Sequence, residues 1–128
     1  MSRKFIVGMA VVALGAAFAA GRASGAAAAV APAAGTSVTA AEGYGFVALR
    51  NTYDPGESAP LHEHATPRLV VVLSGGSFEV TAGDGTMRTV DLAAGQVMFR
   101  GPETHALKNI GDTTIETIEM DLNRGQQP

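Results

Sequence analysis

Two histidines stand one residue apart in His62-Glu63-His64, and a third, His105, follows much later in the chain. In an extended segment successive side chains point to opposite faces, so His62 and His64 share one face while Glu63 points to the other. Two imidazoles aimed at a common point, joined by a third from elsewhere, make a facial donor set for a divalent ion. All three histidines lie near Pro or Gly turns. The competing reading is three separate surface histidines, the usual fate of an isolated one. Cysteine is absent, which excludes thiolate ligands, disulfides, a cysteine nucleophile and a lipid-modified amino terminus. Any metal must therefore be held by imidazole or oxygen.

The elements that must position these residues read as short strands. Candidate strands run over Tyr44 to Tyr53, Pro60 to His64, Arg68 to Ser74, Ser77 to Thr81, Thr86 to Leu92, Gln96 to Phe99, Thr104 to Asn109 and Thr114 to Leu122. Between them Asp54-Pro55-Gly56, Gly75-Gly76, Gly83-Asp84-Gly85, Gly95, Gly101-Pro102 and Gly111-Asp112 carry turn chemistry. Gly56, Gly75, Gly95 and Gly101 are expected at positions that need positive φ or close backbone approach. Connections this short permit antiparallel pairing and no crossover helices, which predicts an all-β fold, a small antiparallel barrel or jelly roll. Leu69-Val70-Val71-Val72-Leu73 is apolar at every position, so this strand should be buried on both faces, the outer one by a second sheet or another subunit. A homodimer is one expected consequence.

The barrel is expected over residues 41–123, followed by a tail at 124–128. Ahead of it, Arg3 and Lys4 precede the uninterrupted apolar run Phe5 to Ala20, the order of a secretory signal peptide. Residues 1–25 are assigned to that leader, with cleavage between about residues 19 and 31, after Ala17-Phe18-Ala19 or at a later site such as Ala23-Ser24-Gly25. A run so short and so rich in Ala and Gly is weak as a permanent membrane span. Residues 26–40 read as a disordered Ala/Pro linker. Export to the periplasm or beyond the cell follows. Once Arg3, Lys4 and Arg22 are removed with the leader, six basic residues face twelve acidic ones, and no cluster of Lys or Arg offers a nucleic-acid surface.

The two histidine segments resemble the motifs of the cupin superfamily. The first of these runs Gly, five residues, His-x-His, three or four residues, Glu, six residues, Gly. Here Gly56, His62, His64 and Gly75 stand at those spacings and Arg68 takes the place of the glutamate. The other motif is resembled by Gly95, Pro102, His105 and Asn109, one residue tighter before the histidine and with Glu103 where glycine is common. The resemblance covers about Tyr44 to Leu122. It implies a conserved β-barrel with His62, His64 and His105 as metal ligands, and it leaves Arg68 unable to be one.

That exchange decides the expected chemistry. Three neutral imidazoles leave a divalent centre near +2, and a nearby guanidinium makes the site want an anion. Either a small anionic molecule binds the metal with Arg68, and with Gln96 or Arg100, gripping it, or the metal site has decayed and Arg68 pairs with a neighbour such as Glu79. On the first reading the chain is an exported metalloprotein holding Fe, Mn, Ni, Cu or Zn. Three-histidine cupins include dioxygenases, so the sharpest form is a non-haem metal-dependent dioxygenase. On the second it is a non-catalytic small-molecule-binding module without metal. Glu63 should face outward, and no other carboxylate is an evident general base inside the barrel, which favours redox chemistry over hydrolysis or isomerisation.

Overall fold

The computed structural model describes residues 33–122. The leader, the first part of the linker and the tail expected at 124–128 lie outside the described residues. Nine strands are formed among the described residues: β1 (Thr36–Gly43), β2 (Phe46–Tyr53), β3 (Ser58–His64), β4 (Arg68–Ser74), β5 (Gly76–Ala82), β6 (Met87–Leu92), β7 (Val97–Arg100), β8 (Glu103–Asn109) and β9 (Ile115–Asp121). A five-stranded sheet, β1-β2-β9-β4-β7, faces a four-stranded one, β3-β8-β5-β6, and every strand pairing is antiparallel. The eight expected strands correspond to β2 through β9.

Strand β1 is an addition, beginning inside the segment read as linker. Thr36, Ser37, Val38 and Thr39 suit a pleated surface, but the alanine-rich stretch before them hides that signal. The β1–β2 hairpin turns on Tyr44 and Gly45, with φ of 53° and 79°, the two positive values of a type I′ turn. Tyr44, expected to open a strand, is instead a fully exposed turn residue.

The packed end of the molecule sits between the sheets. Tyr53 and Ile115 from one sheet meet Ala59, Phe78 and Val80 from the other, and Tyr53 stacks edge to face on Phe78 with centroids 5.1 Å apart. Asn109 belongs to this end too. Its wholly buried Nδ2 donates to the carbonyls of Tyr53 (2.9 Å) and Thr113 (2.8 Å), and its Oδ1 accepts from Gly111 N (3.0 Å). The motif asparagine thus ties the chain after β8 to the end of β2.

On β4 the inner residues Val70 and Val72 are buried, whereas Leu69 and Val71 are half-buried and Leu73 is exposed. No second sheet of the described residues covers the outer face, which leaves another subunit as the cover expected from the sequence. Leu69 lies between Met120 and exposed Phe99, and Val71 between Ile118 and exposed Val97, so neighbouring strands shield it sideways and no further layer of the described residues lies over it. Of the four glycines singled out, Gly56 and Gly95 have φ of +84° and +83°. Gly75 is needed for space, since a Cβ there would stand 2.3 Å from the Leu92 carbonyl oxygen. Gly101 has neither constraint.

Candidate metal centre and its chamber

The histidine-bearing strand does not keep simple alternation. Ala59 pairs with Leu107 and His62 with His105, so β3 spends one more residue than β8 between those pairs. Such a bulge re-aims the side chains after it. Ala59 is buried inside, and without the bulge Leu61 and Glu63 would follow it inward. Instead Leu61 and Glu63 are exposed and His62 and His64 turn in. Pro60 sits in the bulge, where its missing N–H costs no ladder bond.

The register then sets His62 directly opposite His105. Ring centroids are 4.7 Å apart for His62 and His64, 4.8 Å for His62 and His105, and 5.1 Å for His64 and His105. One ring nitrogen from each lies within 4.8 Å of the others. Each Nδ1 faces an oxygen. His62 Nδ1 donates to the Pro60 carbonyl at 2.7 Å, His105 Nδ1 is 3.4 Å from Glu103 Oε1, and His64 Nδ1 is 3.8 Å from Glu119 Oε1. Only the His62 contact is a hydrogen bond, and His105 Nδ1 is buried without one; a proton on each Nδ1 would leave Nε2 as the lone-pair donor for a metal.

The donor set fits a divalent ion. Nitrogens about 2.1 Å from one ion at right angles to each other lie about 3 Å apart, and His62 Nε2 and His64 Nε2 are 2.9 Å apart. With the His62 proton on Nδ1, the metal-free contact between these two needs the His64 proton on Nε2, and an ion bound there would move it to Nδ1, beside Glu119. Burial, then Arg68 and the other imidazoles, push His64 down from 6.5 to about 4. Burial also lowers His105 to about 4, against the pull of Glu103. Both rings are therefore neutral, the form that binds metal, through the whole mildly acidic range.

Arg68 points into this chamber and is nearly fully buried. Its partner is not Glu79. Nη2 donates to Glu103 Oε1 at 2.5 Å, Nη1 donates to the Gly101 carbonyl at 3.2 Å, and Nε lies 3.4 Å from Glu119 Oε2 without an aligned hydrogen bond. Arg100, opposite Arg68 in the sheet, also grips Glu103, with Nη2 at 3.0 and 3.1 Å from the two oxygens. Burial alone would raise Glu103, but the hydrogen bonds from Arg68 and Arg100 outweigh it and hold the carboxyl at about 2. Glu119 moves the other way, raised by burial although Arg68 opposes the shift.

Of the residues expected at the site, His62, His64, His105, Arg68 and Arg100 line one chamber of about 250 Å³ between the sheets. Gln96 does not. It is exposed in the β6–β7 turn, where its Oε1 accepts from Ala93 N at 3.1 Å. Sequence reasoning passed over Glu119 and Arg88, which also line the chamber. Alternation from Ile115 through Thr117 turns Glu119 inward, a signal that was available. Glu119 is a carboxylate inside the barrel, so the absence of a general base no longer separates redox from proton-transfer chemistry.

A family model described as "Cupin domain" matches residues 49–121. The chain belongs to the cupin family. Among solved structures, a cupin domain from Bordetella pertussis Tohama I is similar at 18% identity, with TM-score 0.68, covering 74% of this chain and 99% of that one. A Cupin 2 conserved barrel domain protein from Salinispora arenicola is 19% identical with TM-score 0.54, covering 71% and 77%. A Bacillus subtilis oxalate decarboxylase variant is 27% identical with TM-score 0.53, but covers 69% of this cupin and 26% of that chain. No curated protein matches the sequence.

Proposed function

We propose that this cupin is an exported metal-binding protein whose three histidines hold one divalent ion and whose chamber receives a small anionic molecule. The observation that carries the reading is the common arrangement of the imidazoles, each Nδ1 facing an oxygen and the His62 and His64 Nε2 atoms 2.9 Å apart. An ion held by the three histidines would supply a Lewis acid beside the bound anion and, if redox-active, the electrons of a dioxygenase-type reaction. The chain's own residues do the rest. Glu103 and Glu119 stand behind His105 and His64, Arg68 lies between the two acids, and Glu119, with its raised proton affinity, can hold or pass a proton beside His64. The resemblance to oxalate decarboxylase, a protein named for a small dianion, supports an anionic ligand.

A reading without metal is favoured by one observation: Arg68 is ion-paired with Glu103 and lies 3.4 Å from Glu119, so the chamber's two acids already share a cation. Elemental analysis of the protein purified through its own export route separates the two. About one divalent ion per chain supports the metal reading, and a metal-free preparation that stays so after dialysis against each candidate ion supports the other. Mass spectrometry of the same sample tests export, since a mature chain beginning between Ala20 and Pro32 is expected and intact Met1 on most molecules contradicts it. The homodimer belongs to the proposal as well, through the apolar outer face around Leu69, Val71, Val97 and Phe99.

A further inference from the structure

The chamber holds three arginines, Arg68, Arg88 and Arg100. Two of them are already neutralised. Arg68 is paired with Glu103 and Glu119, and Arg100 with both oxygens of Glu103. Arg88 alone, among the described residues lining the chamber, is a cation without an acidic partner. It is exposed and yet lines the chamber, so it stands at the rim where the chamber meets solvent. In the sheet Arg88 pairs with Val80, which pairs in turn with Leu107, while His105 pairs with Ala82. Arg88 is therefore two strands and one inward-facing rung from His105, a backbone separation on the order of 12 Å. Between them the wall is apolar, formed by Val80 and Leu107 on one sheet and Val70 and Met98 on the other.

We propose that Arg88 is the anion-recognising group of the chamber, binding the carboxylate of a small acid whose apolar body lies along Val80 and Leu107 and whose far end reaches toward the histidines. The inference deepens the ligand-binding role proposed above and rests on it. A guanidinium with all its donors free accepts a carboxylate in bidentate fashion, whereas recruiting Arg68 would require Glu103 or Glu119 to be left as a buried, unpaired charge. Ligand specificity thus belongs to β6, outside both histidine motifs, and the apolar wall selects acids with a hydrocarbon body over compact, fully hydrated anions.

Hexanoate and 1-hexanol share an apolar body and differ in charge, so they serve as probes in calorimetric titrations of the full chain stripped of metal by chelator. Hexanoate is expected to bind about tenfold more tightly than hexanol, and Arg88→Gln should bring the two to parity while leaving hexanol binding unchanged. Arg88→Lys should keep part of the preference, and added salt should weaken it. Three results would overturn the proposal: a hexanoate preference intact in Arg88→Gln, no binding of either probe, or hexanoate binding that appears only after Zn²⁺ loading and ignores Arg88. Zn²⁺ titration of the same variant reads the histidine site separately and should match the parent. Loss of Zn²⁺ binding in the parent would sink the metal reading while the Arg88 result stood.

Discussion

Arg68 and Glu103 meet at 2.5 Å beside the histidines, and the same Glu103 oxygen lies 3.4 Å from His105 Nδ1. The residue at the position of the family's metal-binding glutamate thus shares one carboxylate with His105, one of the proposed metal ligands. On the other side it reaches Glu119, which faces His64. Removing one member of a buried pair leaves the other uncompensated. Glu103→Gln should lower stability by about 2–4 kcal/mol and weaken metal affinity by about tenfold or more through loss of the oxygen behind His105. Equilibrium denaturation and metal titration of the same preparation check both effects.

Arg68→Glu separates affinity from stability. Spacing alone suggests that a carboxylate at position 68 strengthens metal binding by restoring an anionic ligand and removing a repulsive charge. The structure adds a cost, because the new carboxylate would lie between Glu103 and Glu119 with only Arg100, already held by Glu103, left as a cation beside them. The variant should therefore bind metal more tightly than the parent, yet melt at a lower temperature when metal-free. Paired melts with and without Zn²⁺ read this as a larger metal-induced stabilisation.

The metal-free protein should lose stability as pH falls from 6.5 toward 4. His64 and His105 titrate near 6.5 when unfolded and near 4 when folded, so in that window the unfolded chain binds more protons and acid favours it. The raised Glu119 opposes this in part, since its folded form takes up a proton more readily. Urea midpoints measured across pH 4 to 7 should rise with pH, and should flatten when both histidines are replaced by glutamine.

The fold was legible because turn chemistry and alternation agree, and the missed elements have local causes. Strand β1 follows an alanine-rich stretch that reads as featureless, and its partner strand, not its own sequence, holds it in place. His62-x-His64 was legible as a pair on one face, but which face was inward depended on the bulge at Pro60, where an ordinary alternation from Ala59 would have pointed Glu63 to the chamber. Arg68 was legible as inward-facing from its motif position. Its engagement with Glu103 and Glu119 was not, since strand pairing that joins β4 to β7 and β9 is non-local. Gln96 was misplaced because a tight turn uses its side chain as a local cap.

The glycines separate close approach from convention. Gly75→Ala forces a Cβ against the Leu92 carbonyl and should cost more than about 2 kcal/mol. Gly56→Ala and Gly95→Ala, at positive φ, should cost about 1–2 kcal/mol each. Gly101→Ala should fall within about 0.5 kcal/mol of the parent. Chemical denaturation of the four variants gives the ranking.

Asn109→Asp should be more damaging than its size suggests. Its Nδ2 donates to two carbonyl oxygens, and a carboxylate there would face both with no hydrogen to offer. A loss of about 3 kcal/mol or more is expected, with the histidine site intact at temperatures below the melt. Comparison of Zn²⁺ affinity well below the melting temperature with the melting curve distinguishes this structural role from a ligand role.

The central claim is that His62, His64 and His105 hold one divalent ion together. Isothermal titration of Zn²⁺ into the metal-free full chain, beside His62→Ala, His64→Ala and His105→Ala and with melting curves for each, tests it most directly. One ion per chain in the parent, with tight binding lost in every one of the three variants while each still folds, is the predicted result. Equal affinity in the parent and a folded His64→Ala would contradict the account.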